Sequence, residues 1–296
     1  MAVGAALRRL ARLPQAPWLH TEVARRMAEK LQIIRLKPER VIDWWSVLGA
    51  GADLLEQAYP RAARVAVEPD ALWAQRWQEQ QQRPWWSPLR WTGGSAQVLE
   101  QGGDIPAGAQ LIWANMMLHA VVDPPALMAR WHQLLSVDGF VMFSCLGPGT
   151  LRELRTLYER RGWPPPTPGF VDMHDLGDML VQAGFKDPVM DQETLTLRWD
   201  SPASLLRELR ALGGNTAPDR AAGLRTPRWQ RELERDLAAL AAADGKIGLR
   251  FEVAYGHAFK GGPRVQAGEA TKVSLADMRT MVRSSHGPGK GHRPLR

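Results

Sequence analysis

The chain has 296 residues, 45% of them hydrophobic, with one cysteine and a formal net charge of +7. That length holds one large α/β domain or two small ones, and no apolar run is long enough to span a membrane as a helix. A single thiol, Cys145, excludes an internal disulfide and any multi-cysteine metal site, so no metal is expected. The charge is uneven. Residues 1–20 carry +3 from Arg8, Arg9 and Arg12, residues 260–296 carry +6, and the body between carries −2. The basic excess belongs to the ends, and no nucleic-acid-binding motif accompanies it.

In chain order, residues 1–16 read as a flexible basic lead, with an acid-free, Arg-containing start that also has the look of a transit peptide. Thr21–Leu31 reads as a helix with Thr21 as N-cap. Val41–Trp44 is a strand, Ala52–Tyr59 a helix, Val65–Glu68 a strand and Asp70–Gln80 a helix. Residues 83–88 form a proline-flanked loop. Gln110–Asn115 is a buried strand, Pro124–Leu135 a helix, Ser136–Gly139 a turn and Phe140–Cys145 a strand. Helices follow at Thr150–Arg161, Asp175–Ala183, Ser201–Leu212 and Trp229–Ala243, with strands at Glu193–Trp199 and Leu249–Phe259. Residues 261–296 read as a basic, mostly disordered tail with a brief ordered segment at Leu275–Val282. Strands alternating with helices predict an α/β fold with a mostly parallel sheet covered on both faces.

Val41–Leu55 carries the first functional signal. Strand, glycine turn, helix and a second strand ending on Glu68 is the layout of a nucleotide-binding unit. The glycines permit close approach of a ligand, and the acid can accept hydrogen bonds from ribose hydroxyls. Trp44 and Trp45 stand where small residues usually do. By itself this loop also admits a dinucleotide-dependent dehydrogenase.

The run from Trp113 to Leu154, WANMMLHAVVDPPALMARWHQLLSVDGFVMFSCLGPGTLREL, and the later run from Phe170 to Asn215 resemble the class I S-adenosylmethionine-dependent methyltransferases. In detail they are similar to the malonyl-acyl-carrier-protein O-methyltransferases of biotin synthesis. PWLHTEVARRMAEKLQIIRLKPERVID near the start and EVAYGHAFK near the end extend the likeness over about residues 17–260. The same motifs also resemble a mitochondrial complex I assembly factor that hydroxylates an arginine on this fold.

The resemblance implies a Rossmann-like class I methyltransferase fold, a seven-stranded sheet with a helical lid. Residues 17–260 would form the domain, with helical insertions at 146–172 and 201–245. S-adenosylmethionine would lie over Asp43, Gly49, Ala50 and Gly51, with Glu68 on its ribose, Ser95 and Ala96 by the adenine and Asn115 by the methionine. Met116, Met117, Leu118 and His119 would line the reaction pocket. His119, a catalytic candidate with His20, would orient or bind the acceptor carboxylate, and His20 and Trp18 would close over the pocket. The acceptor would be the free carboxylate of malonyl-acyl carrier protein or malonyl-CoA. Arg152, Arg155, Arg207 and Arg210, in two LRELR segments, would face the acidic carrier. A cytoplasmic monomer is expected.

Three positions depart from the family pattern. The first glycine of the loop is lost, Ser95 replaces an aspartate and Gln110 replaces another. Anchored on Pro38–Asp43, the loop has gained two residues before Gly51; anchored on the Gly51–Glu68 spacing, Trp45 replaces the acid. Three hypotheses follow: a working methyltransferase, a methyltransferase-like binding or assembly protein, and a protein-modifying hydroxylase. No iron-binding triad is recognisable for the last.

Overall fold

A computed structural model describes residues 2–81 and 94–262. Seven strands form one sheet: β1 Arg40–Trp44, β2 Ala63–Glu68, β3 Ala96–Glu100, β4 Ala109–Ala114, β5 Leu135–Leu146, β6 Lys186–Trp199 and β7 Ile247–Phe259. Their order is β3-β2-β1-β4-β5-β7-β6. The first five strands pair in parallel, and β7 runs antiparallel to both β5 and β6.

Ten α-helices are described: α1 Ala2–Leu10, α2 Trp18–Leu31, α3 Ser46–Gly49, α4 Ala52–Ala58, α5 Ala71–Gln80, α6 Pro124–Leu134, α7 Arg152–Arg160, α8 Met173–Gln182, α9 Pro202–Ala211 and α10 Pro227–Ala238. Several start where the chain offers a cap. The Asp70 carboxylate accepts from the Leu72 and Trp73 amides, Asp123 from Ala126, and Ser201 from Ser204. Pro124 and Pro202 occupy first-turn positions where no amide is needed.

Alternation along the central strands divides the core between the two faces. Val41, Leu111, Trp113, Phe140 and Met142 belong to one cluster with Leu19, Met27 and Phe251. Ile42, Trp44, Ile112, Val141 and Phe143 belong to the other, with Trp73, Trp131 and Leu180. Trp44 packs edge-on against Trp131 at 5.9 Å, under the Arg130 guanidinium. Cys145 is buried in this cluster, and burial pushes its thiol up to about 12.

Several expectations are corrected. The lead folds as α1 and buries Ala6 and Leu10, because its small and apolar residues recur on one face. Thr21 is no cap: α2 begins three residues earlier, after Pro17. The expected turn at Ser136–Gly139 lies inside β5, where Asp138 takes a left-handed φ of 63° and the register with β4 shifts. β6 begins at Lys186, seven residues before the predicted strand. The loop at 83–88 and the tail segment at 275–282 lie outside the described residues. No helix among the described residues is long and apolar enough to cross a membrane.

Candidate active site

In an open parallel sheet, ligands bind beyond the carboxyl ends of the strands, where the strand order reverses. Here that point lies between β1 and β4. The segments leaving it, residues 45–51 and 115–120, meet there with the start of α2. A groove of about 1140 Å³ lies elsewhere, between α2, α4 and the approach to β1, at the amino end of the strands.

The ends of β1 and β2 carry two buried carboxyls. The Ser46 hydroxyl donates to Asp43 Oδ2 at 2.5 Å, and the Val47 amide donates to Glu68 Oε1 at 2.9 Å. Asp43 Oδ1 and Glu68 Oε2 are buried with no partner. Burial pushes the Asp43 carboxyl up to about 6, against the Ser46 bond and the charge of Arg64. Burial also raises Glu68 well above the usual carboxylate range; the Val47 bond opposes it and the Asp43 charge adds to it.

Asn115 is fully buried at the end of β4. Its amide nitrogen donates to the Gly49 carbonyl at 2.6 Å and to the His20 carbonyl at 2.8 Å, and its oxygen accepts from the Ser144 hydroxyl at 2.6 Å. His20 Nδ1 bonds the Leu48 carbonyl at 3.0 Å, so that nitrogen carries the proton. The Leu146 amide donates to His119 Nδ1 at 3.3 Å, which leaves the His119 proton on Nε2. Burial lowers His20 to about 4. Burial, with the neighbouring His20, lowers His119 to about 3, so both rings are neutral at pH 7.

A small cavity of about 80 Å³ lies among His20, Leu48, Met116, His119 and Phe170, and Val3, Ala6, Leu7 and Leu10 of α1 line it from above. α1 is fastened there by Arg9, whose guanidinium donates to the Gly213 carbonyl at 2.9 Å.

S-adenosylmethionine is the group that the resemblance implies. The unpartnered Glu68 Oε2 suits a ribose hydroxyl, but its other oxygen is already held by Val47. Trp44, Trp45, Val47 and Leu48 are all buried in the core beside it. The remaining 80 Å³ is far below the roughly 300 Å³ of a small-molecule site. In this conformation the residues and the cofactor do not fit.

Comparison with known proteins bears on the reaction. A malonyl-[acyl-carrier protein] O-methyltransferase from Gallionella capsiferriformans is 38% identical over 265 residues, covering 87% of this chain and 89% of that protein. One from Laribacter hongkongensis is 37% identical over 255 residues, covering 83% and 84%. The chain belongs to the malonyl-[acyl-carrier protein] O-methyltransferase family. No family model matches it. Among solved structures, the YcgJ protein of Bacillus subtilis superposes with a TM-score of 0.53 at 11% identity, over 82% of this chain and 99% of that one. The fold is thus the Rossmann-like one of class I methyltransferases.

For this family member, the structure brings together Asp43, Gly49, Ala50, Glu68 and Asn115, with His20, Met116 and His119 around the cavity. Ser95 and Ala96 are a correction. They lie at the amino end of β3, paired in parallel with β2, so Ala96 faces Arg64 and Glu100 faces Glu68. Four register steps, about 13 Å, separate them from Glu68. Gln101 stands at the correct end instead and accepts from Trp45 Nε1 at 2.7 Å. Met117 and Leu118 are also corrected: both pack in the core cluster and neither lines the cavity. Trp18 is 62% exposed and closes over nothing; α1 takes that place. Gly51 approaches Trp113 rather than a ligand, since a Cβ there would sit 2.4 Å from the indole nitrogen. Arg152, Arg207 and Arg210 are exposed, while Arg155 donates to the Pro148 carbonyl of its own segment. Among the described residues no group of three His, Cys, Asp or Glu could hold a metal.

Proposed function

We propose that this chain is an S-adenosylmethionine-dependent O-methyltransferase acting on the free carboxylate of a malonyl thioester carried by an acidic carrier protein, as in biotin precursor synthesis. The observation that carries this reading is His119: neutral, with its proton on Nε2, at a small cavity partly covered by α1. A carboxylate is ionised and nucleophilic at neutral pH, so the chain needs no general base. His119 Nε2–H donates to one carboxylate oxygen and leaves the other free to react. His20, held by Leu48, fixes the entry of α2 against Asn115. The apolar roof of α1 excludes water, which favours transfer to the acceptor over solvolysis. Arg207 and Arg210 sit within one or two turns of Leu212 and Gly213, which line the cavity, and so offer cations to the carrier near its mouth.

A second reading is a methyltransferase-like binding protein, favoured by the closed crevice. The test is incubation of the full chain with malonyl-carrier protein, malonyl-CoA and the methyl donor. Mass spectrometry is expected to find a methyl ester, lost at least tenfold in His119→Ala. No ester on either thioester would reject the enzyme reading. The cytoplasm and a monomeric state are the proposed setting.

A further inference from the structure

The crevice at the switch point is filled by the chain itself. α3 is a four-residue helix, Ser46–Gly49, placed where the family loop would leave an opening. It is tied by side chains at four points: Glu68 to the Val47 amide, Asn115 to the Gly49 carbonyl, His20 to the Leu48 carbonyl and Gln101 to the Trp45 indole. Two of those side chains, with Asp43 on Ser46, are the groups that the resemblance gives to the cofactor.

The closed arrangement also carries its own opposition. Trp45 at φ 56° and Ala50 at φ 53° bracket α3 in the left-handed region, which residues with a Cβ adopt only under strain. Glu68 Oε2 and Asp43 Oδ1 stay buried and unsatisfied, a cost that a ligand's vicinal hydroxyls would remove. Strain at both ends of the segment and orphaned acceptors beneath it oppose the four ties.

We propose that residues 45–50 are a displaceable plug that occupies the cofactor crevice and competes with the adenosyl ligand for Glu68 and Asn115. The proposal rests on the methyltransferase reading. Binding then proceeds from an open minority, and the observed affinity is reduced by the fraction open. In the alignment anchored on Pro38–Asp43, the two residues gained before Gly51 supply the length for the helix.

Two substitutions move the plug in opposite directions. Val47→Pro removes the amide that holds Glu68 and pushes Ser46 out of the helical region. Ala50→Gly keeps the fold and relieves the left-handed strain of the closed form. S-adenosylhomocysteine is titrated into the full chain by calorimetry, and hydrogen exchange of segment 44–51 is followed without ligand. Val47→Pro is expected to bind at least tenfold tighter than the parent with faster exchange, and Ala50→Gly about fivefold weaker with slower exchange. Equal affinity in all three overturns the plug and leaves the enzyme reading standing. No binding by any of them at millimolar ligand, with exchange opened in Val47→Pro, overturns both. If Val47→Pro does not fold, Ala50→Gly decides: unchanged or tighter binding overturns the plug.

Discussion

At the scale of single residues, Asp43 makes the sharpest case. Its carboxyl is raised to about 6 in the fold by burial. A carboxyl raised on folding contributes stability that is fully present below its unfolded pKa and lost as pH rises through the folded one. Relative to Asp43→Asn, whose amide oxygen can still accept from Ser46, the parent should therefore lose about 3 kcal/mol between pH 4 and pH 7. His20 and His119 act with the opposite sign, since burial lowers them and their contribution falls away as pH drops. Denaturant unfolding of the two proteins side by side cancels the histidine contribution and reports Asp43 together with the share of the Glu68 shift that its charge causes. Gly51 supplies a second test. Gly51→Ala would press a methyl onto the buried Trp113 indole, and overpacking of that kind costs about 1–3 kcal/mol, read as a lower denaturation midpoint.

The positions of Glu68, Asn115 and His119 at one end of the sheet were legible because the strands that precede them are apolar enough to find. Ser95 was misplaced for a local reason. The residues before it, 83–93, offered no periodicity to count along, so Ser95 was read at the end of β3 near Glu68 when it lies at the other. Trp45 could not be read as a left-handed residue bonded to Gln101, because nothing in its neighbours specifies that backbone.

Among elements, periodicity succeeded where length allowed it. α6, with Leu127, Met128, Trp131 and Leu134 buried at helical spacing, matches its prediction to within one residue. α3 is invisible to that method: four residues make barely one turn, and its helicity comes from ties to β2, β4 and α2. α1 is the other miss. Nine residues are too few to be helical alone, and its order depends on docking over the cavity. Leu10→Ala should accordingly undock α1, giving faster amide exchange over residues 2–10 while the unfolding midpoint of the sheet stays nearly unchanged.

For the molecule as a whole, the distribution of charge matters more than its total. The body between the basic ends is slightly acidic, yet Arg207 and Arg210 form no ion pair described in the structure. A carrier protein of opposite charge would feel them within a screening length of about 8 Å at physiological salt. KM for the carrier-bound thioester should rise several-fold as salt increases. Arg207→Glu with Arg210→Glu should raise it further while altering KM for malonyl-CoA less, as steady-state kinetics at two salt concentrations would show.

The buried Cys145 gives the chain a clock of its own. With one thiol, no pairing partner and a proton held to about pH 12, the closed protein has no reactive sulfur at neutral pH. An alkylating reagent can mark the chain only when the sheet between β4 and β7 parts. The rate of that single covalent mark, measured on purified protein, reports how often the chain around β5 opens.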